Sequence, residues 1–334
     1  MSDRSKSARS AHRQVVKISN PQLLREVCGP AHSHLQALER AFADYELQAD
    51  SQGGAIVLSG LDDAPRRAAD VLETFVERIA AGAEANAAEL NAALRLVQST
   101  GGSSAALDVL SGLRRPVMAQ TAGQRAYLET LRRDDLGLVF GVGPAGTGKT
   151  FLAVAAGAAE LKAGKRERLI VARPAVEAGE KLGFLPGALE EKVDPYMLPI
   201  WDSLNECLGA PEVERRKERK EIEVAPLAFM RGRTLKNAFV IIDEAQNATV
   251  PQMKMVLTRL GRGSRMIVTG DPSQTDLPDK TPSGLAHAIR ILRNIPGVAM
   301  EELTSADVVR HELVGQIVQA YDRDAALSGA GRRV

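Results

Sequence analysis

GPAGTGKT, residues 143–150, decides the fold. It follows the apolar run LGLVFGVG (136–143) and opens KTFLAVAAGAAELKAG (149–164), so it stands between a buried strand and a helix closed by glycine. In that context the spacing G-x-x-x-x-G-K-[ST] builds a cradle for phosphates. Gly143, Gly146 and Gly148 have no Cβ to obstruct inward-turned backbone N–H groups. Pro144, Ala145 and Thr147 complete the loop, and the helix N-terminus adds partial positive charge at the same spot. Lys149 is placed to reach β- and γ-phosphates, and the Thr150 hydroxyl to ligate Mg²⁺. A glycine-rich turn that binds nothing is the alternative, and the complete pattern between strand and helix speaks against it.

The same texture continues outward from the loop. RLIVARP (168–174), AFVIIDE (238–244) and SRMIVTGD (264–271) are short, nearly continuous apolar runs, and GVAMEEL (297–303) is a weaker fifth. Such runs read as strands buried on both faces of a parallel sheet. Helical stretches such as VPQMKMVLTRLG (250–261) lie between them. No internal repeat is present, so the α/β core is single.

Two acids close the 238–244 strand. Asp243 is expected to hold Mg²⁺ through water, and Glu244 to orient and polarise an attacking water. Alone, adjacent acids could equally mark a solvated strand-to-helix turn. The next strand ends in TGDPSQ, which brings Asp271 and Gln274 to the same carboxyl edge, where α/β sheets gather ligands. An amide at Gln274 can contact both the γ-phosphate and the attacking water; Asp-Pro-Ser is also a good type I turn, which explains those residues but not the glutamine. Gln246 either links the phosphate site to neighbouring loops or caps the following helix. Upstream, Gln124 in AQTAGQRAYLETL (119–131) carries an amide able to read adenine's N6 and N7 edge, although these residues alone favour a surface-helix glutamine.

Composition excludes several classes. A formal net charge of +1 and a pI near 7.8 argue against a globally basic nucleic-acid coat, so any such binding rests on local clusters. Cys28 and Cys207 form no C-x-x-C pair and the five histidines no metal-spaced cluster, which argues against zinc and disulfide frameworks and makes a reducing, cytoplasmic setting the expectation. No apolar run reaches about 18 residues, and MSDRSKSARSAHRQ is followed by no apolar h-region, so neither a membrane span nor a secretory signal is read. Residues 1–16 are expected as a disordered leader. Residues 17–98 read as a small α+β module: a helix at PAHSHLQALERAFADY, a hairpin around a glycine turn, a second helix, and an Ala-rich helical extension. Residues 99–115 are then a linker, 116–322 the P-loop core and 323–334 a flexible tail.

Taken together, GPAGTGKT, RPAVEAGEKLGFLPG, EKVDPY, APLAFMRGRT, IIDEAQNAT, QMKMVLTRLG, TGDPSQTDLP, SGL and DVVRHELV resemble the PhoH family of P-loop ATPases, whose motif style is related to superfamily 1 helicases. The resemblance covers residues 116–322. Residues 17–80 are similar to the KH-like module of bacterial members but lack a G-x-x-G loop flanked by basic residues. DPSQTDLP also departs from the pattern, with Pro272 and Ser273 where many relatives have an aliphatic residue and a threonine. The resemblance implies a single RecA-like core with a mainly parallel sheet, ATP and Mg²⁺ as ligands, ATP hydrolysis, association with RNA and assembly into rings. It gives Gln124 the role of adenine reader.

Only about 90 residues follow the DEAQ segment, too few for a second core. An arginine completing the transition state is therefore expected from a neighbouring subunit; the candidates are Arg310 in DVVRHELV and Arg231 and Arg233 in MRGRT, with Arg310 preferred as such a residue over a plain helix-capping or surface arginine. Arg173, Lys181, Arg231, Arg233 and Lys236 are expected on loops of the same sheet edge, tracking single-stranded RNA without sequence preference. EVERRKERKEIEV (212–224) interleaves acids and bases at helical spacing and reads as a solvated helix face. The leading expectation is an RNA-associated ATPase or helicase. A nucleotide-dependent adaptor that recruits a YbeY-type endoribonuclease, with little unwinding of its own, is the second. A small-molecule kinase fits DEAQ poorly.

Overall fold

The computed structural model describes residues 10–100, 109–174, 189–278 and 281–309. The first unit comprises β1 (Ala11–Lys17), α1 (Pro21–Cys28), α2 (Ser33–Ala41), β2 (Gln48–Gln52), β3 (Ala55–Leu61), α3 (Ala64–Ala80) and α4 (Ala87–Thr100). Its antiparallel sheet has the order β1-β3-β2. Alternation sets its faces: Val16, Ile56 and Leu58 point into a core with Leu35, Leu72 and Phe75, while Arg13 and Val15 face outward. All of Ala11–Lys17 but its last residue falls inside the expected leader, yet it is a strand, because it pairs along its length with Leu61–Ala55 and buries Val16.

The expected linker is likewise structured at its end. β4 (Val109–Leu110) pairs antiparallel with β5 (Val117–Met118).

The second unit continues with α5 (Ala122–Arg132), β6 (Leu138–Val142), α6 (Lys149–Lys162), β7 (Arg168–Arg173), α7 (Leu189–Leu208) and α8 (Ala210–Glu218). It is completed by β8 (Ile222–Pro226), β9 (Ala238–Ile242), α9 (Val250–Leu257), β10 (Arg265–Gly270), α10 (Gly284–Leu292) and β11 (Val298–Glu302). The six strands form one parallel sheet in the order β11-β6-β10-β9-β7-β8. β6, β9 and β10 are buried throughout, which is why their sequences lack alternation. One apolar layer, including Leu152, Leu169, Phe239 and Ile241, lies under α5 to α8; the other, including Phe140, Val240, Val268 and Leu285, lies under α9 and α10. At Gly157 a Cβ would come within 2.7 Å of Leu169 and 2.8 Å of Phe239, so glycine lets α6 sit close on the sheet.

β8 corrects the reading of residues 212–224 as one helix face. The helix ends at Glu218, the charged run continues through Glu221, and Ile222 and Ala225 then turn into the core as the sheet's edge strand. Because all six strands are parallel, their carboxyl ends open on a single edge, with helices departing to both faces. Among the described residues no helix is long and apolar enough to cross a membrane.

Candidate active site

β6 delivers the chain directly into the phosphate cradle. Gly146 and Gly148 take left-handed backbone angles, φ 83° and 81°, which a side chain would strain. Thr147 is fully buried and its hydroxyl donates to Pro144 O at 2.9 Å. Lys149 Nζ donates to the same carbonyl at 2.9 Å. Burial pulls the Lys149 pKa below its ordinary value, against the opposing pull of Asp271, Glu244 and Asp243.

The acids assemble by register. β7 and β9 are neighbours with Ala172 opposite Ile242, so the next residues, Arg173 and Asp243, emerge side by side. Asp243 Oδ1 accepts from Thr150 Oγ1 at 2.6 Å and from Thr269 Oγ1 at 2.8 Å. Arg173 Nη2 lies 3.0 Å from Glu244 Oε1, and its Nε 3.9 Å from Asp243 Oδ2. Glu244 sits in the left-handed region at φ 51°, a strained position for a non-glycine residue. Gln246 donates to Glu244 Oε2 and accepts from Asp271 N at 3.1 Å. It bridges two strand ends and caps nothing: α9 is capped by Thr249 with Gln252 in a reciprocal box.

These groups face a cavity of about 360 Å³ that Gly148, Lys149, Thr150, Arg173, Glu244 and Gln274 help to line. Asp271 Oδ1 accepts from Ser273 N at 2.9 Å and Ser273 Oγ at 2.6 Å, and Gln274 N donates to Asp271 O at 3.1 Å. The turn and the glutamine therefore coexist: Asp-Pro-Ser folds back, and that fold presents exposed Gln274 to the cavity. Asp271 Oδ2 is buried without a hydrogen-bond partner. A hydroxyl and a carboxylate in contact, beside further carboxylates and a loop of backbone donors, are a donor set that fits a Mg²⁺ nucleotide.

Gln124 is buried, not on a surface as its residues alone suggested. Its Nε2 donates to Thr147 O at 3.0 Å and its Oε1 accepts from Gln120 N at 2.8 Å. A strap after β11, which runs into the DVVRHELV segment, also closes on the loop. Leu303 N donates to Val142 O at 2.8 Å and Val309 N to Gly146 O at 3.0 Å. Between them Asp307 accepts from Thr121 Oγ1 at 2.7 Å and Gly123 N at 3.0 Å. Burial pushes the Asp307 carboxyl up, but these bonds and two from Thr304 outweigh it and hold the pKa below the ordinary value.

The expected RNA residues do not share one edge. Arg173 stands among the acids of the cavity. Arg233 is forked onto Glu223, 2.7 Å for its Nη2, and so is already paired. Arg231 is exposed, and Lys236 is exposed next to the start of β9, at the opposite, amino edge. The physical reason is the crossover: successive parallel strands oblige residues 227–237 to run the height of the sheet. Lys181 and Arg310 lie outside the described residues, as does the tail 323–334.

Residues 116–322 match the family model for the PhoH-like protein. The chain is 46% identical to the PhoH-like protein of Bacillus subtilis over 312 residues, covering 92% of this chain and 96% of that protein. It is 43% identical to the PhoH-like protein of Mycobacterium tuberculosis over 322 residues (94% and 90%), and 56% identical to that of Synechocystis over 217 residues (64% and 66%). Among solved structures, the Pif1 helicase of Candida albicans aligns at 15% identity over 55% of this chain and 40% of that one, with a TM-score of 0.28, a likeness too distant to bear on function. With its parallel α/β core and P-loop NTPase-type site, this chain belongs to the PhoH-like family.

Proposed function

We propose that the chain binds ATP with Mg²⁺ at the carboxyl edge and hydrolyses it to ADP and phosphate. The carrying observation is the convergence of Lys149, Thr150, Asp243, Glu244 and Gln274 on one cavity from three separate segments. Lys149 and the loop N–H groups bind and orient the phosphates. Thr150 and Asp243 hold Mg²⁺, which when bound neutralises charge on the phosphates. Glu244 takes a proton from the attacking water, and Gln274 orders that water against the γ-phosphate. The adenine-reading role of Gln124 rests on the family resemblance.

Arg173 brings an arginine of the same chain into the cavity, so a cation does not have to come from a neighbour. A ring is still part of the proposal, on the family resemblance, with Arg310 as the residue that would cross the interface. Association with single-stranded RNA rests on the same resemblance, and exposed Arg231 and Lys236 are its described candidates.

The adaptor reading draws support from a specific arrangement: both oxygens of Glu244 are engaged, one by Arg173 and one by Gln246. A resting site of this kind suits a protein that binds nucleotide, turns over slowly, and recruits an endoribonuclease. ATPase rate with and without single-stranded RNA separates the two. An RNA-driven motor predicts stimulation of about tenfold or more; an unchanged rate, with ATP bound, favours the adaptor.

A further inference from the structure

We propose that Arg78, in the N-terminal unit, is a positioning residue for the phosphate cradle and acts on it through a continuous chain of amide groups. The proposal rests on the nucleotide-binding reading above and extends it to regulation of the same site.

Arg78 lies in α3 at 1% exposure. Its Nε and Nη2 each stand 2.7 Å from Glu89 Oε2 in α4, and its Nη1 donates to Ala119 O at 2.7 Å, across the junction between the two units. A junction that needed only adhesion would be served as well by apolar packing, because buried charge pairs are weak stabilisers. The carbonyl it selects matters more.

Ala119 C=O and Gln120 N–H are two ends of one peptide group. That N–H donates to Gln124 Oε1 at 2.8 Å, and the other end of the Gln124 amide, Nε2, donates to Thr147 O at 3.0 Å. Thr147 C=O and Gly148 N–H again share one peptide, and Gly148 lines the nucleotide cavity. Three amide groups therefore run in one direction from a guanidinium to the cradle. Each bond accepted at an oxygen polarises its amide and makes the N–H at the far end a stronger donor. With a cation at the head of the chain, every step favours an anion at the pocket.

The same chain fixes Gln124. A flipped amide would set Oε1 against Thr147 O and the NH₂ group against Gln120 N–H. The N-terminal unit thereby tunes a cavity to which it contributes no described lining residue. Arg95 supplies an internal control: its Nε donates to Gln120 O at 3.4 Å, a carbonyl of the following peptide and outside the chain.

The test is a double-mutant cycle in the full-length protein, read by equilibrium binding of ADP with Mg²⁺ and paired with thermal unfolding. Arg78→Gln is expected to weaken ADP about fivefold, and Gln124→Ala at least as much. The double variant should bind no more weakly than Gln124→Ala alone, because the second change breaks a chain already broken. Arg95→Gln should stay within about twofold of wild type. If Arg78→Gln does not fold, Arg78→Lys replaces it, since an ammonium keeps the charge but cannot fork onto both Glu89 and Ala119. Additive losses in the double variant, or an Arg95→Gln loss equal to that of Arg78→Gln, overturn the relay while leaving nucleotide binding intact. Absence of ADP binding by wild type overturns the nucleotide reading, and the relay with it.

Discussion

The two ends of strand β10 carry buried charges treated in opposite ways. At the amino end, Arg265 is 1% exposed and donates to Thr130 O at 2.8 Å, to Leu131 O and to Glu160 at 3.3 Å. It closes the last turn of α5 and is neutralised within the fold. Just past the carboxyl end, Asp271 is also buried, at 6% exposure, and its Oδ2 has no hydrogen-bond partner; Arg265 Nε has none either, but its other two nitrogens carry the bonds to α5 and Glu160. One sheet thus carries at its amino edge a charge bonded into the fold and at its carboxyl edge a charge that lines the cavity. Loss at the amino edge should cost stability, and loss at the carboxyl edge should cost binding.

The largest effect is expected at the amino edge. Arg265→Met should destabilise by about 3–5 kcal/mol in urea unfolding, because two buried carbonyls lose their donor and Glu160 loses one of its two arginines, while ADP affinity of the folded fraction stays unchanged. Lys149→Ala is the mirror case: about a hundredfold weaker ATP binding by calorimetry, with the unfolding midpoint nearly unmoved. Reversal of either pattern would break the comparison.

Asp307 sharpens it, as a carboxylate at the carboxyl edge whose bonds are all internal. Its folded pKa is depressed, so its stabilisation is complete above the unfolded value and is lost as pH falls through the folded one. Wild type should therefore lose stability below about pH 4 more steeply than Asp307→Asn, measured as unfolding midpoint against pH. The smallest effect is expected from Thr249→Ala, which removes the α9 cap and should cost about 1 kcal/mol without changing nucleotide affinity.

Sequence was most informative where backbone geometry dictates spacing. GPAGTGKT and the acids at 243 and 244 were legible because a strand, a tight loop and a helix leave few residue choices there. Arg173 was read as an RNA contact at that edge and not as a partner of the acids in the cavity, since its neighbour Asp243 is fixed by the β7–β9 pairing, which no local pattern encodes. The same limit explains Lys236, placed at the wrong edge because a crossover without a long helix leaves no periodicity to follow. β1 and β8 escaped for another reason: edge strands bury few side chains, and their apolar signal is diluted by His12, Arg13 and Lys17 in one and by the preceding charged run in the other. Gln124 needed both kinds of knowledge, a motif to single it out and a fold to bury it.

The central claim is that Glu244 activates water at a nucleotide site that other residues build. Glu244→Gln, assayed side by side for ATP affinity and steady-state hydrolysis, tests it most directly. Affinity should remain within about twofold of wild type while turnover falls by about 10²- to 10⁴-fold. Hydrolysis at the wild-type rate would contradict the claim.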